Sequence, residues 1–459
     1  MPAAHRTRID LLAGTCIAAA TLLPGGPAHA QDASPFRSER FDEDWRRVDV
    51  DNRPFGAGFK NMDVADGVTL SVGGDARWRF SSLDAPRLGL ADVEADEWLL
   101  QRLLLHADLR FADHARVFVQ LGAHDGIGRQ LPATTDDNEF DIQQAFVDIS
   151  LDGPGGHFTA RAGRQELALG PRFVTTRDSG NVRQRHDMVR LMFTSGRWRA
   201  DLFGGSPVTD GHGVFDDEPD GGQDFYGARL EGTFGANTLG LYAYEVDRDA
   251  AALGGVTRND DRISIGARLA GRRGAFDFDT EATAQTGAFG DADIEAFGAM
   301  FDIGWRFPEA PLTPRVSGRV TYGSGDSDLS DDTQGTFAPP FPTSQWFGQN
   351  GLASFSNTIE TAALVGLTAA EDVTLNLKLS SVWRSDVADY VYAGSTALAG
   401  TSGGDETFVG KSAAISLAWR PNANVLINPY VSYVDVGDEL IARGAHDVTY
   451  WHLSVTLRF

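Results

Sequence analysis

The chain has 459 residues, a formal net charge of −24, 52 glycines and a mildly negative mean hydropathy. This length fits two or three ordinary soluble domains, or one large β-barrel. After the first thirty residues no stretch is apolar for long enough to span a membrane as a helix. The sequence therefore argues against a helical inner-membrane protein, but it is compatible with a barrel, in which only alternate strand residues face lipid.

The first thirty residues have the pattern of a secretory signal peptide. Arg6 and Arg8 form the positive end, Leu11–Leu23 forms the apolar run, and Ala28–Ala30 provides a small-x-small cleavage site. The only cysteine, Cys16, lies inside this run. The exported chain is therefore predicted to contain no disulfide and no thiolate metal site.

Residues 31–67 are polar and aromatic without a clear period, and we interpret them as an N-terminal periplasmic segment that packs into or beneath a barrel. Alternation of apolar and polar residues begins at Val68 and recurs to the end of the chain. It predicts about 18 strands, an even number as in single-chain outer-membrane barrels. The predicted strands are at about 68–80, 97–111, 115–123, 139–151, 156–165, 185–194, 197–204, 224–234, 237–247, 261–270, 274–285, 293–307, 313–323, 357–368, 372–383, 407–420, 424–434 and 447–459.

The predicted connections alternate between short and long. The short ones are 112–114, 152–155, 194–196, 235–236, 271–274, 308–312, 369–372 and 421–424. The intervening ones are 81–96, 124–138, 166–184, 205–223, 248–260, 286–292, 324–356, 384–406 and 435–446, of which only 286–292 is brief. Tight turns on one rim and long loops on the other are typical of an outer-membrane barrel. The predicted fold is therefore all-β, a single-domain antiparallel up-and-down barrel over residues 68–459 in a Gram-negative outer membrane.

The last predicted strand supports this fold. Trp451, Leu453, Val455 and Leu457 alternate with polar residues up to Phe459. The pattern resembles the closing strand by which the barrel assembly machinery recognises its clients. Aromatic residues also end several other predicted strands, as in the two interfacial girdles of such barrels.

Three of the 40 basic residues are lysines and the rest are arginines. Because a charge on the lipid face near the bilayer midplane costs roughly 2–4 kcal/mol, strand arginines are expected to face the lumen. Alternation gives this orientation to Arg77, Arg79, Arg102, Arg110, Arg161, Arg190, Arg229, Arg262, Arg268, Arg315 and Arg319. They can pair with inward acids such as Asp75, Asp108 and Asp302, or form a positive track for carboxylate or phosphate groups. The sequence leaves both possibilities open.

Several stretches resemble the alginate-export family of outer-membrane barrels, in order and over nearly the whole chain after the signal. They are Arg40–Trp45, Phe59–Lys60, Leu70–Arg77, Asp141–Asp148, Ala162–Leu167, Asn181–Arg183, His186–Arg190, Tyr322–Asp326, Thr336–Phe337 and Phe341–Pro342. The resemblance implies an 18-stranded monomeric barrel with an arginine-rich lumen that passes an anionic polysaccharide. Carried over position by position, it favours Arg77, Arg164, Arg183 and Arg190 as lumen or constriction arginines.

Two features depart from the family pattern. Counted from Phe158, alternation places Arg161 inward and Arg164 outward, so Arg164 requires either a bulge near Gly163 or a place beyond the apolar band. All predicted periplasmic turns are short, so a periplasmic plug would have to come from residues 31–67.

The leading hypothesis is a passive channel for an anionic substrate such as an alginate-like polysaccharide, and the alternatives are a porin for small anions or nutrients and a structural or adhesive barrel. An enzyme is not expected, because no serine elbow or histidine-centred acidic triad stands out. The acidic loop clusters Asp216–Asp220 and Gly325–Asp332 lack EF-hand spacing, and neither a metal nor a cofactor is predicted. The expected partners are the anionic substrate, outer-membrane lipid and the assembly machinery, without nucleic acid.

Overall fold

The computed structural model describes residues 35–45, 54–343 and 345–459, and the predicted signal peptide lies outside these ranges. Eighteen antiparallel strands form one closed barrel wall, which confirms the predicted fold class. The strands are β1 (Val68–Asp84), β2 (Ala95–Phe111), β3 (Ala115–Ile127), β4 (Asn138–Gly153), β5 (Gly156–Glu166), β6 (Arg185–Ser195), β7 (Trp198–Thr209), β8 (Gln223–Phe234), β9 (Asn237–Leu253), β10 (Val256–Arg273), β11 (Phe276–Phe289), β12 (Ala296–Arg306), β13 (Arg315–Gly323), β14 (Thr358–Ala370), β15 (Val373–Trp383), β16 (Phe408–Asn422), β17 (Val425–Val436) and β18 (Val448–Arg458).

The first and last strands close the wall. Asp75 lies opposite Arg458, and Leu83 lies opposite Tyr450, with an unbroken register between them. At the periplasmic end of this seam, Gly74 and Phe459 exchange two backbone hydrogen bonds of 3.0 Å. Closure pairs the backbone groups that would otherwise meet lipid at a sheet edge, where each unpaired group is costly.

Among the residues that the structure describes, only short elements lie outside the wall strands. They are the 3-10 helices Arg40–Asp42, Ala57–Phe59 and Pro86–Gly89, the α-helix α1 (Asp438–Ala442), and the short strands Met62–Ala65, Glu218–Pro219, Ala292–Ile294, Thr333–Gln334, Tyr392–Ala393 and Thr396–Ala397. Within the described ranges, no helix has the length and apolarity needed to cross a membrane.

Alternate wall residues face lipid and lumen. In β2, Leu103 and Leu105 are 44% and 43% exposed, whereas Arg102, Leu104 and His106 are buried on the other face. The same alternation runs through the other strands, because a strand projects successive side chains to opposite faces. The wall is therefore apolar outside and strongly charged inside.

The predicted strands are all present, although their ends differ by up to several residues. The long loop predicted at 248–260 is wrong, because β9 and β10 continue to a two-residue turn at Gly254 and Gly255. An ion pair of 3.0 Å between Arg248 and Asp260 joins the two extended strands, and Leu253 is buried in an apolar cluster that includes Phe289 and Tyr392. The polar and acidic composition of this stretch conceals its strand period in the sequence.

Gly163 in β5 provides a test of the wall geometry. Its φ is 122°, and a Cβ atom added there would lie 2.3 Å from the backbone oxygen of Ala145. We expect Gly163→Ala to lower the free energy of unfolding by about 1–3 kcal/mol, because alanine adopts this conformation only with strain. Gly318→Ala is the matched control, since no heavy atom lies within 4 Å of its added Cβ. Urea unfolding, followed by the gel mobility of the folded barrel, measures both variants, and equal midpoints would contradict the expectation.

Candidate functional site

Most of the predicted lumen arginines pair with carboxylates of the wall itself. Arg190 donates to Asp201 at 2.5 and 2.9 Å, and Arg161 donates to Asp148 at 2.7 and 2.9 Å. The other pairs are Arg110 with Asp108, Arg229 with Glu231, Arg262 with Asp260, Arg268 with Asp279, Arg315 with Asp277 and Asp302, and Arg319 with Asp302. Burying a charge is costly unless it is paired. These arginines therefore brace the lumen with their own counter-ions.

Residues 167–184, here called inner loop 1, leave the extracellular rim and enter the lumen. Arg172 reaches across to β11, where it pairs with Asp279 at 3.0 Å and with Glu281 at 2.6 Å. Burial alone would lower the pKa of Arg172, but these two carboxylates raise it above its ordinary value. The loop is thus held by β11, which lies five strands along the wall from β6.

Residues 324–357, here called inner loop 2, meet the first loop inside the barrel. Thr175 N–H donates to the backbone oxygen of Phe341 at 3.0 Å, and Phe341 N–H donates to that of Phe173 at 2.9 Å. Trp346 packs under Arg319, whose guanidinium carbon lies 3.8 Å from the ring centroid. The two loops together narrow the lumen at the level of these contacts.

Three arginines on β1 and β2 converge on the tip of inner loop 1, and we call Arg77, Arg79 and Arg102 the basic cluster. Arg77 donates to the backbone oxygen of Asp178 at 2.7 Å and to that of Gly180. Arg79 donates to the backbone oxygen of Ser179, between them. Arg102 pairs with the Asp178 carboxylate at 2.7 Å. Arg77 also lies 3.7 Å from the Asp178 carboxylate, so the closest contacts of Arg77 and Arg79 are with neutral oxygens, whereas the closest contact of Arg102 is with a carboxylate.

The tip carboxylate is strongly fixed by this cluster. Burial alone would raise the pKa of Asp178, but the guanidinium groups of Arg102, Arg183 and Arg77 hold it well below its ordinary value. Stability from a depressed carboxyl pKa is lost only as the pH falls through that low value. The tip therefore stays charged throughout the physiological range.

Residues 35–45, here called the N-terminal segment, lie against the inner wall near the periplasmic end. Phe41 contacts the rings of Phe118 and Phe146, with centroid distances of 6.2 and 5.7 Å. Arg40 donates to the backbone oxygens of Gly74 at 2.8 Å and of Phe459 at 2.9 Å, across the seam. Of the two placements considered from the sequence, these contacts correspond to packing into the barrel.

Arg183, which the family resemblance selected, belongs to inner loop 1 and not to the wall. It pairs with Glu166 at 2.9 Å and with Glu39 of the N-terminal segment at 3.3 Å, and it donates to the backbone oxygen of Ser38 at 2.9 Å. Arg183 therefore links the periplasmic end of the lumen to the loop that carries Asp178.

Arg164 lies on the outward side of β5, at its extracellular end. The register with β4 and β6 is unbroken at Gly163, so no bulge turns the side chain inward. Arg164 pairs with Asp187 at 2.9 Å and donates to the backbone oxygen of Asp217 from the loop above. The structure thus places Arg164 apart from the basic cluster, at the edge of the apolar belt.

The acidic loop at 216–220 is tied to the same rim. Carboxylates of Asp141, Asp216 and Asp217 lie within 4.8 Å of one another. Asp217 pairs with Arg185, and Asp216 accepts the backbone N–H of Gly213 at 2.9 Å. Internal partners thus hold this loop against β4.

Some lumen residues were not predicted. Arg116 on β3 donates to Asp108 at 2.6 Å, and Lys378 on β15 pairs with Glu360 at 2.6 Å, and the alternation of their strands could have revealed both. Arg172 and Asp178 lie in a loop that has no alternation of apolar and polar residues, so the sequence gives no indication of their contacts.

Comparisons with known proteins agree with this architecture. A model of the family described as Alginate export matches residues 68–453. The chain belongs to the alginate-export family. A search among curated proteins finds no match.

Solved structures share the fold of this alginate-export family member at low identity. OccAB3 of Acinetobacter baumannii has a TM-score of 0.59 at 11% identity, covering 84% of this chain and 99% of its own. A BenF-like porin of Pseudomonas fluorescens has a TM-score of 0.56 at 10% identity, with coverage of 85% and 99%. OccK11 of Pseudomonas aeruginosa has a TM-score of 0.56 at 11% identity, with coverage of 84% and 96%. The protein described here is an outer-membrane barrel of a Gram-negative bacterium, and its family and fold are those of transport channels.

Docking of the N-terminal segment is expected to weaken at high pH. Burial raises the pKa of Glu39 to about 7, with Asp42, Glu166 and Asp178 also raising it and Arg183 opposing them. A carboxyl group with a raised pKa binds its proton more tightly in the docked state. Its contribution to docking is therefore present at low pH and is lost as the pH rises through about 7.

Tryptic cleavage after the buried Arg40, followed by mass spectrometry, measures this undocking. Glu39→Gln is the control, because it keeps the side chain uncharged at every pH. We expect cleavage of the unmodified chain, relative to Glu39→Gln, to rise a few-fold between pH 6 and pH 8.5. A ratio that is independent of pH would contradict the assigned effect of Glu39.

Proposed function

We propose that the barrel passes an anionic substrate passively through an arginine-lined lumen, and that this substrate is an alginate-like polyuronate. Membership of the alginate-export family supports the channel and suggests the polymer. The basic cluster is the observation that carries the proposal within the lumen. Arg79 donates to a backbone oxygen of the tip of inner loop 1, and Arg77 donates to two such oxygens and lies 3.7 Å from the Asp178 carboxylate, so this single carboxylate offsets only part of the charge of the cluster.

The chemistry of the cluster suits uronate groups. A guanidinium fork matches a carboxylate with two parallel hydrogen bonds, and this match is more favourable than contact with neutral carbonyl oxygens. Conduction requires binding that is favourable enough for entrance and weak enough for release. At the basic cluster, a substrate carboxylate would replace backbone oxygens of the loop tip. The gain from the carboxylate favours entrance, and the return of the backbone oxygens favours release.

A porin for small anions or nutrients is the second candidate, and the inner loops favour it. The hydrogen bonds between Thr175, Phe341 and Phe173 join the two loops inside the lumen, so a polymer passes only if the loops separate. A small solute needs less displacement. Conductance measured with and without polyuronate distinguishes the two candidates.

We infer that the protein is not an enzyme. The arrangement most like a catalytic relay is Asp152–His157–Thr159 at the periplasmic rim, with hydrogen bonds of 2.8 and 3.0 Å. Acyl transfer also needs hydrogen-bond donors aimed at a developing oxyanion. The backbone N–H of neighbouring Ser150 is not free for this role, because it already donates to the backbone oxygen of His114. We expect His157→Ala and the unmodified protein to show the same background rate with a chromogenic ester, whereas a rate that the substitution abolishes would contradict this inference.

We also propose that the barrel functions as a monomer and is inserted by the barrel assembly machinery. The closed wall supports the monomer, because it leaves no strand to pair with another subunit. The alternating apolar residues of β18 support recognition by the machinery.

Anion selectivity in planar bilayers tests the channel. The double substitution Arg77→Gln with Arg79→Gln removes two charges of the basic cluster but keeps hydrogen-bond donors for the loop tip. We expect the anion preference to fall a few-fold, and block by polyuronate to need a correspondingly higher concentration. Arg190→Gln is the control with a smaller expected effect, because it removes one charge and Arg199 still offsets the Asp201 carboxylate at 2.9 Å.

Two outcomes would contradict the proposal. Unchanged selectivity in the double variant would mean that the basic cluster does not set anion preference. Passage of chloride and small acids without block or permeation by polyuronate would favour the porin for small anions.

A further inference from the structure

The N-terminal segment carries the charge pattern of the proposed substrate. Its residues 35–45 carry four carboxylates and the two arginines Arg37 and Arg40, so the net charge of the segment is −2. These carboxylates recur along one backbone, as the acid groups of a polyuronate recur along its sugar rings, and the segment turns through the 3-10 helix Arg40–Asp42, where Arg40 pairs with Glu43 at 2.5 Å. The segment is therefore an anionic polymer in miniature.

The surface that holds this segment is basic. Arg116 donates to the backbone oxygen of Phe41 at 2.8 Å, Arg110 donates to that of Glu43 at 3.3 Å, and the Arg161 guanidinium lies 4.6 Å from the centre of the Phe41 ring. These arginines also pair with Asp108 or Asp148 of the wall. They therefore bind the segment with donors that remain after their ion pairs are made.

Among the described residues the segment shares its place at the periplasmic end with the side chain of Lys60, which lies 5.0 Å from the Trp45 ring and donates to the backbone oxygen of Phe459. The periplasmic connections between wall strands are short turns, the longest being 307–314. At its upper end the segment meets inner loop 1, through the contacts of Arg183 with Ser38 and Glu39. An anion arriving from the periplasm must therefore meet this segment before it reaches the basic cluster.

The contacts of the segment are of a kind that an anionic polymer can replace. Phe41 is its main apolar anchor on the wall, between Phe118 and Phe146. The arginines donate mostly to its backbone oxygens, and substrate carboxylates accept such hydrogen bonds more strongly. Ordering the segment also opposes its docking, because each fixed residue loses conformational entropy.

We propose that residues 35–45 are a built-in competitor of the anionic substrate, which binds the groove of Arg110, Arg116, Arg161 and Arg183 and displaces the segment from it. This inference rests on the proposed channel function and adds a binding site at the periplasmic end of the lumen. Release of Ser38 and Glu39 frees Arg183, which also contacts Asp178 at 3.8 Å. Displacement of the segment is thereby linked to the loop tip on the basic cluster.

Thiol labelling of the full-length protein in liposomes tests the displacement. Ser38→Cys places a probe of similar size on the segment, in a background where Cys16→Ser removes the natural cysteine. We expect polymannuronate to raise its rate of reaction with an uncharged maleimide several-fold, whereas neutral dextran of the same length leaves the rate unchanged. Ser195→Cys, on a periplasmic turn away from the segment, is the matched control and reacts equally with and without polymer.

Phe41→Ala provides the second variant, because it removes the apolar anchor without touching the arginines. In the Ser38→Cys background it should raise labelling in the absence of polymer, and it should lower the polymannuronate concentration for half-maximal block a few-fold. If polymannuronate blocks the channel but leaves Ser38→Cys labelling unchanged or slower, the segment is a fixed part of the lumen lining. The proposal that it competes with the substrate is then wrong. If polymannuronate affects neither conductance nor labelling in any variant, including Phe41→Ala, the channel proposal fails instead.

Discussion

Hydrogen bonding between the first and last strands is the constraint on which the structure depends. In lipid each backbone group must find a partner within the protein, so a sheet survives there only when it closes. The register of β1 with β18, extended by the exchange between Gly74 and Phe459, completes this closure. Once the wall is closed, the strand period alone decides which residues face lipid and which face the lumen.

Closure has an electrostatic consequence. Charged residues excluded from the lipid face collect in the lumen, where they are buried and need partners. The wall supplies many of these partners itself, as in the pairing of Arg190 with Asp201. The inner loops and the N-terminal segment supply others, so they are held by the same forces that would hold an anionic substrate. Under the proposed function, the arginines that hold the inner loops and the segment are also those that would bind the substrate.

The sequence predicted the wall far better than the lumen, for a physical reason. Lipid on one side imposes an alternation that can be read residue by residue, and it located the strands and oriented Arg77 and Arg102. The extension of β9 and β10 was missed because its residues stand above the apolar belt, where no alternation is imposed. Pairings such as Arg172 with Glu281 join elements far apart in the chain, and only the path of the loop brings them together.

For Arg164, family resemblance and strand alternation predict different positions. Family resemblance selected it together with Arg183, but alternation pointed it outward, and the structure agrees with alternation. Arg183 lies in a loop, where strand alternation does not fix its direction, and it is placed between Glu39 and Glu166 inside the barrel. Membership of the family therefore predicts the barrel wall, whereas the contacts of each arginine depend on its local partners. If the chain's own acidic segment competes with an anion, as we propose, the net affinity for that anion is the difference between two similar interactions. Such a difference is small, and a passive channel needs a small one, because a substrate that bound the bare arginines would not leave.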